Sequence, residues 1–405
     1  MSELPNRLPI YLDNQSTTPL DPRVLEAMLP YFTEHFGNPH SESHVYGKNA
    51  MAAIEAARAD LARLVGADPR EIVFTSGATE ANNLALKGAA HFARAYPVAG
   101  ATPRDQIITL PTEHKCVLES AAALEREGFR VTYLPVEPGG LLALDRLAAA
   151  LSERTLIVSV MAAHNEIGVI QPVAEIGALC RARGILFHTD AAQAAGKIPL
   201  DVEAMKIDLM SISGHKIYGP KGVGALYIRR RPRVRLVPLI DGGGQERGLR
   251  SGTLPTPLCV GLGRAAALAA AEMEAEAARI RGLRDRLQAN LMRRVKGLRI
   301  NGDTEHRLAG NLNLSFPGLM APDLIEACPS VAMSTGSACT SATVEPSYVL
   351  RALGLSDALA NASIRLGLGR FTTAAEIDFA VDALSAAATR LGADRRVTEG
   401  AEPPT

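Results

Sequence analysis

Apolar residues fall in two rhythms along the chain, and their alternation predicts the fold. Residues 71–75 form a continuous strand-like run that enters Ser76-Gly-Ala-Thr-Glu80, and an amphipathic stretch follows through Lys87. This order predicts a strand, a turn of small residues and a helix. Further strand-like runs at 106–110, 130–135, 155–160 and 185–190 alternate with helical stretches opening near His114, Leu144 and Val173. Short apolar runs separated by helices predict an α/β fold built on a mostly parallel sheet with helices on both faces. Ahead of this repeat, 11–19 reads as a short strand and polar turn, 24–36 as one helix and 48–65 as an Ala-rich amphipathic helix. Behind it come two apolar runs within 211–228, a Gly-rich loop at 241–253 read as flexible, and a long Ala- and Glu-rich helix reaching Gly297. The remainder reads as a smaller α+β unit: strands at 311–315 and 363–367, helices near Asp323 and Tyr348, and a last helix from Thr373. The expected organisation is an N-terminal arm at 1–20, a large domain at 21–262, a small domain at 263–395 formed together with the arm, and a disordered polar tail at 396–405.

Composition narrows the functional classes. With 405 residues and 47% hydrophobic content the chain has material for a large core. Lys plus Arg and Asp plus Glu number 43 each, so no global charge points to nucleic acid or an anionic membrane. The basic run 229–235 reads either as a solvated turn or as a docking patch for an acidic protein. The first residues carry no apolar signal core and no run has the length of a membrane span, which places the chain in the cytoplasm, or in an organelle matrix if a presequence was removed. Five widely spaced cysteines, Cys116, Cys180, Cys259, Cys328 and Cys339, form neither a disulfide framework nor a zinc-ligand spacing, consistent with a reducing compartment. Cys339 lies among Gly, Ser, Ala and Thr from 334 to 342, the setting of an exposed, mobile thiol, whereas the other four read as inert packing residues.

The candidate chemistry centres on Lys216, in a Gly- and His-marked turn between two apolar runs. A lysine held there is either an ordinary solvated one or an amine whose proton affinity is lowered enough to form a Schiff base. Gly214 and Gly219 do not make a Walker loop, because Pro220 stands where that motif needs Lys. Gly77, Ala78 and Thr79 open a helix after a strand, an arrangement that either cradles a phosphate or simply caps the helix. In sheets of the predicted kind ligands sit beyond the carboxyl ends of the strands. His114, Asn165, Asp190 and Gln193 fall at such places. Asp190 ends an apolar run and, if sheltered, needs a partner such as a protonated ring nitrogen; a helix cap is the plain alternative for it and for His114.

These segments together resemble the pyridoxal 5'-phosphate (PLP)-dependent cysteine desulfurases of the class V aminotransferases, in the housekeeping bacterial and mitochondrial branch that supplies sulfur for iron-sulfur clusters. The resemblance covers 11 to about 391 and rests on Thr75-Ser-Gly-Ala-Thr-Glu, Thr112-Glu-His-Lys, His188-Thr-Asp-Ala-Ala-Gln, Ser213-Gly-His-Lys-Ile-Tyr-Gly-Pro-Lys-Gly, Arg250-Ser-Gly-Thr and Gly336-Ser-Ala-Cys-Thr-Ser. It implies the type I PLP-dependent transferase fold, L-cysteine as substrate and L-alanine as product. Lys216 would hold the cofactor and move the substrate's α proton, His114 would stack on the ring, and Asp190 would keep the ring nitrogen protonated. Asn165 and Gln193 would address the ring oxygen, with Asn165 also near the substrate. Ala78, Thr79, Ser213 and His215 would bind the phosphate, with Thr253 supplied by the second subunit of a homodimer. Arg365 would clamp the substrate carboxylate and Cys339 would accept its sulfur as a persulfide. The sulfur would pass to an iron-sulfur scaffold or another acceptor protein, tRNA thiolation included, with no direct nucleic-acid or membrane partner.

The chain departs from the family pattern at three places that bear on the site. His164 stands where the family usually has Asn, and Ser16 where it usually has Ala; the segment 317–329 also differs. The chain also ends soon after its last helix, without the family's aromatic-containing extension, so weakened affinity for a scaffold is expected.

Overall fold

The computed structural model describes residues 9–335 and 345–399, with side chains up to 392. Strand β1 (Ile10–Tyr11) leads through the polar arm to α1 (Pro22–Met28) and α2 (Pro30–Thr33). The helix expected over 24–36 is thus divided in two, because Pro30 has no amide hydrogen to continue the ladder, although Leu29 before it keeps helical φ and ψ of −53° and −45°. Asp21 starts α1 by accepting from the Arg23 amide. Then come α3 (Val45–Val65), β2 (Ile72–Thr75), α4 (Ala78–Ala95), β3 (Gln106–Thr109), α5 (Lys115–Arg126), β4 (Arg130–Tyr133), α6 (Leu144–Ala150), β5 (Thr155–Ser159), α7 (Val173–Ala182), β6 (Leu186–Asp190), β7 (Leu209–Ser213) and β8 (Gly224–Ile228). The long helix α8 (Thr256–Arg294) follows, then β9 (Arg299–Ile300), β10 (Asn311–Ser315), α9 (Ala321–Glu326), β11 (Val331–Ala332), α10 (Tyr348–Ala352), α11 (Asp357–Asn361), β12 (Ser363–Gly367) and α12 (Ala374–Glu399). Helix α12 runs past Arg395, into the stretch expected to have no regular structure.

Seven strands form the central sheet in the order β2-β8-β7-β6-β5-β3-β4. All are parallel except β8, which runs antiparallel between β2 and β7. This is the parallel sheet expected from the alternating pattern, and β2, β5, β7 and β8 are buried throughout, as sheets covered on both faces require. Gly224 sits flush against the turn after β2: a Cβ there would come within 2.7 Å of the Gly77 Cα. A side chain at 224 would push that turn off the sheet.

A second core surrounds the antiparallel sheet β12-β10-β9, with Leu12 of the arm, Leu287 and Leu291 of α8, and Ile377 and Leu384 of α12 packed into it. The parallel pair β1-β11 fixes the arm to this unit. Helix α8 serves both cores: Cys259, Leu262, Ala265 and Ala266 pack beneath the large sheet, whereas Ile280, Leu287 and Leu291 belong to the second core.

The 241–253 loop is anchored, contrary to its flexible reading. Glu246 is buried beside Arg58, with side chains 2% and 3% exposed and Arg58 Nη2 2.7 Å from Glu246 Oε1. Glu246 Oε2 also accepts from the Phe74 amide at 2.7 Å, which ties the loop to β2. Glu246 and Arg247 hold left-handed φ values of 47° and 59°, a cost the buried pair offsets. Arg229 likewise leaves the expected basic surface run. It is 1% exposed and bonded to Glu203, Asp208 and the Ile207 carbonyl, while Arg230, Arg231, Arg233 and Arg235 remain outside. Removing one partner from a buried ion pair leaves an uncompensated charge, so Glu246→Ala should cost about 3–5 kcal/mol, read as a lowered Tm. The double variant Arg58→Met with Glu246→Leu should recover most of that loss in the same melting experiment.

Candidate active site

The carboxyl ends of β3, β5, β6 and β7 bring His114, Asn165, Asp190 and Ser213 to one edge of the large sheet, and the arm crosses in front of them. Lys216 ends a single 3-10 turn, Gly214–Lys216, directly after β7. Its Nζ donates to the main-chain oxygens of Gln15 and Ser16, both at 2.6 Å. The neighbouring His215 bonds Thr17 Oγ1 at 3.0 Å through Nδ1. The Thr18 hydroxyl and amide both donate to the His215 carbonyl. Burial, with Lys216, Lys221 and Lys197 nearby, lowers His215 to about 4, so its ring is neutral at neutral pH.

Asp190 is 5% exposed, and its two oxygens are oriented from different sides. Oδ1 accepts from the Ala192 amide at 2.9 Å and Oδ2 from Asn82 Nδ2 at 2.7 Å. Asn82, fully buried on α4, also reaches Cys116 Sγ at 3.1 Å. That sulfur lies 3.0 Å from His114 Nδ1. The Cys116 amide donates to the same nitrogen, so His114 caps α5. Cys180, Cys259 and Cys328 are buried, as expected of packing thiols; Cys116 is not of that kind, since it touches the His114 ring.

Gln193 gives Nε2 to the Gln15 carbonyl at 2.8 Å and takes Lys197 Nζ on Oε1 at 3.0 Å. Desolvation, with Lys216 close by, lowers the Lys197 amine to about 7. Arg365, 2% exposed on β12, closes the cluster from the second core. Its Nη1 donates to the Asn165 carbonyl at 3.0 Å, and its Nη2 donates to Asp13 Oδ1 at 2.7 Å and Ser16 Oγ at 2.5 Å. The Arg365 Nε–H is buried without a partner among the described residues.

Gly77 is the N-cap of helix α4, and no side chain among the described residues caps it. Its first amides therefore face outward with the positive end of an 18-residue helix dipole behind them. Thr79 is exposed there and Ala78 half-buried. Thr253 is exposed in its own chain, on the loop that Arg250 ties to Glu80 of α4 at 2.9 Å. Cys339 lies outside the described residues. An uncapped helix start, a buried carboxylate with oriented oxygens, a lysine amine and a guanidinium with an unpartnered N–H fit a phosphate-bearing aldehyde cofactor together with an amino-acid substrate.

Asn82, Gln15, Asp13 and Lys197 belong to the site although no motif marks them. Asn82 leaves one trace in the sequence, a polar residue on the apolar face of α4 beside Ala81 and Ala85. His164 is buried, with one ring nitrogen bonded across to another loop and the other within its own turn. Its Nε2 bonds the Thr112 carbonyl at 2.7 Å and its Nδ1 accepts from the Glu166 amide at 2.9 Å. Burial lowers it to about 4. The unfolded chain binds this proton below about pH 6.5, and the folded one only near 4, so the group removes stability as pH falls through that window. His164→Asn should flatten the acid-side fall in Tm, and its unfolding at pH 5 should take up about one proton fewer than that of the wild type.

The aminotransferase class-V family model matches residues 10–379. A cysteine desulfurase IscS of Rickettsia akari (strain Hartford) is 58% identical over 375 residues, spanning 93% of this chain and 90% of the relative. Among solved structures, a NifS-like protein superposes with a TM-score of 0.87 at 38% identity, covering 95% of this chain and all 100% of that one. SspA in complex with cysteine gives a TM-score of 0.78, also at 38% identity, over 90% of this chain and 100% of SspA. The architecture, the site-edge motifs and this full-length similarity agree: the chain belongs to the class V aminotransferases, among their cysteine desulfurases.

Proposed function

We propose that this protein is a PLP-dependent cysteine desulfurase, converting L-cysteine to L-alanine and handing the sulfur to Cys339 for iron-sulfur cluster assembly, with tRNA thiolation as a further outlet. The observation that carries this reading is the convergence of Lys216 and Arg365 on one strap: Ser16 gives its carbonyl to Lys216 Nζ and its hydroxyl to Arg365 Nη2. Amine chemistry and carboxylate recognition are thereby held side by side, as an α-amino acid requires.

PLP, when bound, supplies an aldehyde for the lysine and a ring that takes up electrons from the substrate's α carbon. The chain's own groups divide the remaining work. Ala78, Thr79, Ser213 and His215 hold the phosphate, joined by Thr253 of the partner subunit. Asp190, pinned by Asn82 and the Ala192 amide, keeps a proton on the ring nitrogen. His114 would pack on the ring face, and Gln193 and Asn165 would address the ring oxygen. Lys216 takes the α proton and later returns one. Arg365 binds the carboxylate through paired N–H groups. The Cys339 thiolate attacks the substrate sulfur; an S–S bond forms and the substrate C–S bond breaks. The electron pair of that bond ends in a new C–H bond of L-alanine, leaving a persulfide on Cys339.

A second copy of this chain is the partner that the surface supports. Leu25, Leu29, Phe32 and Phe36 are 44–65% exposed along α1, α2 and the segment after them, with Val45 and Tyr46 beside them at the start of α3. An apolar patch of this kind marks an interface. The sulfur acceptor is an iron-sulfur scaffold or another carrier protein met in the cytoplasm. No helix among the described residues is long and apolar enough to cross a membrane.

The assay that tests the function measures alanine and sulfide from L-cysteine in the PLP-loaded protein with a reductant. Lys216→Ala should abolish both products. Cys339→Ala should lose at least 90% of turnover while still changing the cofactor's absorbance on adding L-cysteine. If Cys339→Ala turns over like the wild type, the persulfide route fails. For the interface, Leu29→Asp combined with Phe32→Asp should halve the mass seen by light scattering and weaken PLP retention, because Thr253 would then be missing from the phosphate site.

A further inference from the structure

The valences of Arg365 single out Ser16. A guanidinium grips a carboxylate through two parallel N–H groups, using either the Nε/Nη2 edge or the Nη1/Nη2 edge. Each edge needs a proton of Nη2. Both Nη2 protons have acceptors in this structure, one on Asp13 Oδ1 at 2.7 Å and one on Ser16 Oγ at 2.5 Å. Nη1 holds the Asn165 carbonyl, and Nε–H is buried with no acceptor among the described residues. The arginine therefore has a vacant N–H beside a filled one, and a carboxylate can be gripped only if one Nη2 acceptor lets go.

Asp13 and Ser16 are not equal in this exchange. The Asp13 bond is charge-assisted, and the Arg365 side chain in it is only 2% exposed. The Ser16 bond joins a cation to a neutral hydroxyl on a half-buried residue, and a hydroxyl swings away by rotation about one torsion. Ser16 is also placed to move alone, because its amide bonds the Asp13 carbonyl at 3.0 Å and its own carbonyl holds Lys216 Nζ. Neither main-chain contact depends on where the hydroxyl points.

We propose that Ser16 is a specificity-determining residue whose hydroxyl is an internal ligand of Arg365, displaced by the carboxylate of an incoming α-amino acid. The hydroxyl occupies the fork until a carboxylate arrives, and so sets how strongly a carboxylate must bind to be held. This rests on Arg365 being the carboxylate ligand, and the test separates the two.

The measurement is the Kd of the PLP-loaded protein for L-alanine, followed by calorimetry, beside ethylamine as the same amine without a carboxylate. Ser16→Ala removes the competing acceptor and should tighten L-alanine roughly two- to tenfold, the range expected for one displaced hydrogen bond, and lower KM for L-cysteine in the same proportion. Ser16→Thr keeps the hydroxyl and should match the wild type. Ethylamine should bind both variants and the wild type alike. If Ser16→Ala binds L-alanine more weakly, or with unchanged Kd, the displacement model is overturned. Arg365→Lys checks the underlying assignment: it should weaken L-alanine at least tenfold, and an unchanged Kd there would remove Arg365 from carboxylate binding whatever Ser16 does.

Discussion

The site depends on the hydrogen bonds that fasten one short strap of polar chain across the end of the sheet. Residues 13–18 pass between the two cores and give main-chain oxygens to Lys216 and Gln193 and side-chain oxygens to Arg365 and His215. Without the strap these groups would belong to separate units: Lys216 and His215 to the large sheet, Arg365 to the small one. Main-chain carbonyls suit this task because substitution leaves their position largely unchanged. Side chains then tune the site without dismantling it.

The electrostatics follow from the same crowding. Lys197, Lys216, His215 and Arg365 meet here, with Asp13 paired to Arg365, Glu276 acting on Lys197 and Glu166 close enough to feel Arg365. Desolvation keeps His164 and His215 neutral and lowers the Lys197 amine toward 7. The basic side chains gathered in one place suit a ligand carrying phosphate and carboxylate groups.

Much of the fold was legible because its signals are local. Runs such as Ile72-Val-Phe, bounded by small-residue turns, marked the parallel strands, and the carboxyl-end rule then placed Asn165, Asp190 and Gln193 near one another before any contact was known. One local signal was passed over: Pro30, with no amide hydrogen to give, divides an otherwise continuous helical pattern. Other information was not local. Glu246 looked like part of a loose glycine loop because its partner, Arg58, lies 188 residues away. Asn82 and Cys116 join Asp190 to His114 through contacts between separate elements, and no spacing in the sequence encodes that meeting. Motifs marked the residues with distinctive chemistry; the ones that aim them became visible only once the chain was folded.

Helix α8 gives the molecule a mechanical character. At 39 residues it is about 58 Å long, and its two halves are embedded in different cores. Turning one core against the other would bend a continuous helix at its midpoint, where no proline is present to make a hinge. One continuous helix thus splints the two units. The lysine side and the arginine side of the cleft are thereby joined by a rod at the back as well as by the strap in front.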